Sequence, residues 1–422
     1  MALLPFTLAA ILLLLCIPFV RALPPLNCTS TPTLDVTDSP SSSDTRTLWD
    51  IIWSCVATLF ACTWTAIHPN IPGMDEGRMT IFFRRLYIMV LALIAPVLMV
   101  TWAAIQFLSA LEWTAAHGFF AWMGGFMLYC DDEPRATLTP KELMDYIRDG
   151  CVDIPDIVEA DIEGRSKGDA LSKGIAVLQL GWFVLQLVAR YIQHLPTTLL
   201  EIDTLAIVSL ACIAYCLWWK KPKDVRRPYP VHWNRNKTEA PPLRTLTYEY
   251  KTKSRILLGC LVSLSYPSHY PLRSLMGTAV TISPCTVRER RAPSLGGYAD
   301  DNRHDRSHVI TLFLGCFSGV IYGGLHCLGW NYPFQWHTEQ MLWRVASIVT
   351  ASASVPFLLI FGWVILSHAP HDSWVVRFAV VAIAFISITT RVTVIVLILL
   401  SLRSLPPGIY DTVAWTTFVP HL

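Results

Sequence analysis

The chain contains a succession of apolar runs about as long as a bilayer is thick, and this constrains its fold more than any other feature. A membrane helix needs ~20 predominantly apolar residues. Residues 48–67, 86–108, 174–194, 199–219, 309–330, 345–367 and 376–401 each meet that requirement. An eighth run, 113–130, is shorter and contains His117 and Gly124-Gly125. The pattern predicts an all-α, polytopic transmembrane helical bundle of about eight spans, seven clear and one marginal. Only 15% of the 422 residues are charged and 53% are apolar, whereas soluble chains carry about 25% charge. The net charge of +2 is too small for a polyanionic partner, so the expected partner is the lipid bilayer and no nucleic acid is expected.

The N-terminus points to the secretory route. Leu4 to Val20 is a short apolar run ending in Val20-Arg21-Ala22, which reads as a signal peptide over 1–22. Residues 23–47 are rich in Ser, Thr, Pro and Asp and read as a disordered lumenal or extracellular segment. Asn27-Cys28-Thr29 is a glycosylation sequon there, making Asn27 the candidate acceptor. No Cys-x-x-Cys pair exists among the 12 cysteines, and Cys55, Cys62, Cys212, Cys216, Cys316 and Cys327 lie in apolar runs, as packing residues would.

Basic residues set the sidedness. With the N-terminus outside and 113–130 crossing, loops 68–85, 131–173, 220–308 and 368–375 face the cytoplasm and hold 26 Lys and Arg. The outward segments 23–47 and 402–422 hold only Arg46 and Arg403. Basic residues resist translocation, so this arrangement is expected, in a membrane of the secretory pathway or the plasma membrane. It divides the chain into a first helix group, 48–219, with an acidic insert at 131–173; a cytoplasmic loop, 220–308, ending in a linker at 284–308; a second helix group, 309–401; and a tail, 402–422. Thr139 to Glu142 and Thr198 to Glu201 form capping boxes. Ser166 reads as the cap of the helix entering 174–194.

Polar residues inside spans are costly and face protein or water. Gln179, Gln186, Arg190 and Gln193 form one stripe on span 174–194. Such a stripe either lines a water-filled path or bonds to neighbouring helices. Gly315, Gly319 and Gly323 form two Gly-x-x-x-Gly steps for close helix packing, with His326 and Trp330 on the same arc. Arg391 lies mid-span and needs an anionic partner or a wet cavity. Glu201 is already explained by its capping box, so Asp203 is the better candidate. His304 and His308, with His368 and His371, lack the further histidines a metal centre would need. No metal, cofactor or catalytic residue is therefore assigned.

A broader set of motifs carries a resemblance. It comprises Trp53-Ser54-Cys55, Phe60 to Trp64, His68 to Pro72, Ser166 to Asp169, Trp218-Trp219 with Lys221-Pro222, His326-Cys327, Trp330-Asn331, Leu342-Trp343-Arg344 and Leu405-Pro406. Together these resemble a large family of uncharacterised multispan membrane proteins of fungi, mushroom-forming fungi in particular. The resemblance implies a signal peptide and a polytopic helical core and brings no activity. The residues themselves suggest a conduit or binding site for an ion or small polar solute, with a polar outer-half cavity. The alternatives are a sensor or receptor recruiting a cytoplasmic protein through 220–308, or a membrane enzyme using His326 or the cytoplasmic-side histidines. The non-enzymatic readings are favoured.

Overall fold

A computed structural model describes residues 45–234, 305–359 and 374–414, apart from positions 75, 112, 131, 167, 168, 354, 357 and 407. The signal peptide, Asn27, most of loop 220–308 and the pairs His304/His308 and His368/His371 fall wholly or partly outside them. The helices are α1 (Leu48–Ala66), α2 (Arg78–Ile94), α3 (Pro96–Ala110), α4 (Ala115–Trp122), α5 (Pro140–Arg148), α6 (Glu159–Gly164), α7 (Asp169–Ile192), α8 (Leu199–Leu217), α9 (Asp305–His326), α10 (His337–Ser352) and α11 (Trp374–Ser401). Three short strands accompany them: β1 (Phe126–Cys130), β2 (Glu133–Thr137) and β3 (Tyr229–His232).

Five helical stretches are long and apolar enough to cross a membrane: Leu48–Ala66, Leu171–Ile192, Leu199–Leu217, Val309–Gly329 and Ala382–Ser401. Their outer faces carry Leu178, Trp182, Phe313, Phe317, Phe385 and Leu399, each about half exposed or more. Side chains of this kind, arrayed around a whole bundle, suit hydrocarbon rather than water. Inside, hydroxyls bond to their own helix, with Thr58, Ser209, Ser318 and Ser347 each donating to the carbonyl four residues earlier. Such bonds satisfy these hydroxyls without water that a bilayer would not supply.

Two sequence expectations are corrected. Residues 86–108 are not one continuous helix: α2 and α3 meet at Ala95-Pro96 with a bend of 115°. Pro96 has no N–H to continue the ladder and disfavours helical backbone at Ala95, which takes φ −133° and ψ 65°. Residues 113–130 are not a marginal span either. They form the eight-residue α4 and strand β1, separated by Gly124 at φ 85°, a left-handed conformation that ends a helix. The fold is thus mostly helical rather than wholly so.

The bundle has two distinct ends. At the first, the starts of α1, α8 and α10 meet the close of α7, α9 and α11. Thr45 bridges to Asp411, and Ile51, Leu199, Ile202, Trp343, Val394 and Ile409 share one core cluster. At the second end sits a small lobe built on the sheet β2-β1-β3. In it β1 pairs antiparallel with β2 and parallel with β3. Ile71, Phe120, Leu143, Ile162 and Val231 form its core. Both outer ends of the α2–α3 pair lie at this second end: Arg85 bonds Asp224 and the Trp64 carbonyl, and the Ser109 carbonyl accepts from Trp122. The joint of the pair lies within the bundle, where the Leu93 carbonyl meets Arg391 of α11.

The expected close packing on α9 holds at two glycines, against different neighbours. A Cβ on Gly315 would lie 3.1 Å from Thr101 Oγ1 of α3, and one on Gly323 only 2.2 Å from the Ala351 backbone nitrogen of α10. Gly319 is buried between them. Gly323→Ala is expected to push α10 off α9 and lower the thermal midpoint in detergent. Gly324→Ala, with nothing within 4 Å of its Cβ, should be neutral or slightly stabilising through helix propensity. Equal midpoints for the two variants would refute the close approach.

Candidate functional site: three helix ends around a buried ion pair

Arg391, Asp203 and His326 come together inside the first-end half of the bundle. They are 7%, 5% and 1% exposed. Arg391 grips the Asp203 carboxylate with both terminal nitrogens, Nη1 to Oδ1 at 2.5 Å and Nη2 to Oδ2 at 3.2 Å. Its Nε and Nη2 also donate to the Leu93 carbonyl at 3.2 and 3.0 Å. That carbonyl is free because Pro96 ends α2. The last four carbonyls of a helix have no partner within it, and here a guanidinium takes one. His326 Nε2 lies 3.0 Å from Asp203 Oδ1, and its Nδ1 lies 2.7 Å from the Tyr322 carbonyl. Trp343 of α10 donates to the His326 carbonyl at 3.2 Å.

Backbone placement explains why these charges are tolerated at depth. Arg391 faces the C-terminal end of α2, and His326 is the last residue of α9. Both are negative ends of helix dipoles, which favour cations. Asp203 sits just past the first turn of α8, near a positive end that favours a carboxylate. The Arg391 guanidinium also lies 5.7 Å from the centre of the Tyr322 ring, within cation–π range.

The other sequence candidates go elsewhere. Arg190, 1% exposed, donates to the carbonyls of Pro196 at 2.6 Å, Asp411 at 2.7 Å and Ile409 at 3.1 Å. Gln193 exchanges two 3.0 Å bonds with the Ala414 backbone. Gln179 donates to Thr58 of α1 at 3.0 Å, and Gln186 is half-buried on the same helix. The stripe therefore ties α7 to α1 and to the C-terminal tail. Trp330 packs under Arg344 at 5.1 Å and accepts from it, apart from His326. Glu201 keeps its capping box and binds Arg46 at 2.6 Å. These groups bond to one another and to the backbone at the first end of the bundle. Ser166 exchanges two 2.9 Å bonds with the Lys223 backbone.

Sequence reasoning missed a second polar centre, at the opposite end. Lys221, 1% exposed, donates to the His68 carbonyl at 2.5 Å, Asn70 Oδ1 at 2.8 Å and Gln106 Oε1 at 2.8 Å. Trp218 donates to the same Gln106 oxygen at 2.9 Å, and its ring lies 5.4 Å from the ammonium. Burial pushes the Lys221 pKa well below the usual lysine value. His68, fully buried beside it, is likewise pushed well down by burial. Its Nδ1 meets the Ala66 carbonyl at 2.8 Å. The centre ties the end of α1, the end of α3 and the end of α8 to the lobe.

One family matches the chain, described as "Family of unknown function (DUF8562)", over residues 14–111 and 108–240. No curated protein and no solved structure matches it.

Proposed function

We infer the function of this chain from its own geometry, because it belongs to DUF8562, a family of unknown function. We read it as a membrane bundle that binds and conducts an ion or small polar solute. The observation that carries this is the meeting of a broken helix tip with an ionisable cluster inside the bundle. Ionisable residues at that depth mark ion and solute pathways by default. Discontinuous helices whose free ends face the site are the recurring architecture of such pathways.

We propose six crossings. Helices α1, α7, α8, α9, α10 and α11 cross, and the α2–α3 pair dips in from the lobe side and returns. Six crossings replace eight without moving a single basic loop, because the two lost crossings were consecutive. In this topology the four loops with the 26 Lys and Arg still share one side of the membrane. That side is the cytoplasmic one by the positive-inside rule, in a membrane of the secretory pathway or the plasma membrane. The fungal resemblance of the sequence agrees with this polytopic architecture.

The test is flux in proteoliposomes holding indicators of H⁺, K⁺ or Cl⁻, with wild type, Arg391→Gln and His326→Gln compared. Flux above that of empty liposomes, reduced about tenfold or more in both variants, is the expected result, an effect of about 1.4 kcal/mol on the barrier. Background flux of all three ions in every protein would end this reading.

A further inference from the structure

We propose that Asp203 and His326 together bind a proton, held between Nε2 and Oδ1 where the three helix ends meet. The proton's role as a conducted or coupling ion rests on the conduit reading; the binding site itself stands on donor and acceptor geometry. A backbone carbonyl only accepts, so the 2.7 Å contact with the Tyr322 carbonyl makes Nδ1 the donor. The carboxylate of Asp203 receives two N–H groups from Arg391, which is the arrangement of an ionised carboxylate. A neutral ring with its hydrogen on Nδ1 would then point the Nε2 lone pair at a carboxylate oxygen 3.0 Å away. Two buried acceptors in contact are unfavourable. One proton on this axis removes the conflict and makes both ring contacts hydrogen bonds.

The surroundings favour the extra positive charge. His326 closes α9, where the helix dipole is negative. From α8 it faces Asp203, from α11 Arg391, and from its own helix the phenol of Tyr322. From α10 it faces Trp343, which does not titrate. Arg344 of α10 is engaged with Trp330, and Glu201 of α8 with Arg46. Helix α3 contributes no ionisable side chain. Among the described residues only the Arg391 charge opposes a cation on His326, and that charge is already matched by Asp203.

Binding takes a proton from water onto Nε2; no other bond forms or breaks. Its loss sets lone pair against carboxylate, so the His326–Asp203 contact opens while Arg391 keeps Asp203. Proton occupancy thus switches the tie between α8 and α9 and leaves the tie between α8 and α11 intact.

The full-length protein, labelled with ¹⁵N-histidine and held in lipid nanodiscs, allows the ring to be titrated by NMR between about pH 5 and 8, where histidine changes charge. His326→Gln identifies its signals and serves as a folding control, since a neutral amide can donate to Asp203 but cannot titrate. The expected result is a ring protonated on both nitrogens that loses Nε2–H as pH rises, with Asp203→Asn weakening proton binding about tenfold, one pH unit. Should Asp203→Asn fail to fold, thermal stability supplies the second readout. The stability of wild type should change with pH relative to His326→Gln, which lacks the ring that binds the proton. A ring that is neutral throughout, a titration unchanged by Asp203→Asn, or parallel stability profiles would overturn the proposal. Intact titration with background flux would retire the conduit reading alone.

Discussion

Asp203→Leu is expected to cost about 3–5 kcal/mol of stability, and adding Arg391→Leu to it should recover most of the loss. Removing one member of a buried pair leaves the other charge uncompensated, whereas replacing both with apolar side chains is often neutral or stabilising. In the single variant Arg391 would keep the Leu93 carbonyl, at 3.0 and 3.2 Å, and the Tyr322 ring, but no anion, and its charge would remain at 7% exposure. In the double variant no charge is left, and His326 can stay neutral with Nδ1 on the Tyr322 carbonyl. The Leu93 carbonyl then loses its donor, at a cost of about 1–3 kcal/mol, so recovery should be incomplete. Unfolding in detergent of wild type, both single variants and the double variant forms a complete cycle, and strictly additive losses would show that the pair is not coupled. The same four proteins separate stability from function. If the cluster conducts, the recovered double variant should remain inactive in flux.

The sequence made parts of this site legible for a physical reason. A charge in an apolar run has few ways to be satisfied, so Arg391 demanded a carboxylate. The capping box at Thr198 accounted for Glu201 and left Asp203. His326 was legible as inward-facing because the glycines on its arc require a close neighbour. What the run-length argument could not register is a break inside a run. A window of 20 apolar residues reads the same whether Pro96 kinks it, ends it or folds it back. The proline itself was the available signal. The partners of Arg190 were illegible for another reason. They are backbone carbonyls at 196, 409 and 411, and carbonyls carry no residue-type signature. The lobe was hidden likewise, since α4 and β1 together have the apolar length of a short span and only Gly124-Gly125 marks the division between them.

Lys221→Met should be among the most destabilising substitutions in the chain, while Lys220→Met, one residue away, should be nearly silent. The two look alike in sequence, and both count as basic residues at a span end. Lys220 lies in solvent against Glu159, each about half exposed, and such pairs contribute about 0–1 kcal/mol. Lys221 is enclosed by three oxygens from three separate segments. Methionine fits the space, but it removes the donor those oxygens share. Each acceptor left short in a buried site costs about 1–3 kcal/mol, so a loss of about 3 kcal/mol is expected from denaturant unfolding in micelles. The pH dependence gives an independent check. Burial depresses the Lys221 pKa in the folded protein, so the unfolded chain binds that proton more tightly. Stability should therefore rise with pH through the window between the depressed value and the ordinary lysine range, and Lys221→Met should remove that slope. Comparable losses for the two lysine variants would mean that the three oxygens find water instead. The bundle end would then be open to solvent there, and α1, α3 and α8 would be joined to the lobe by its apolar core alone.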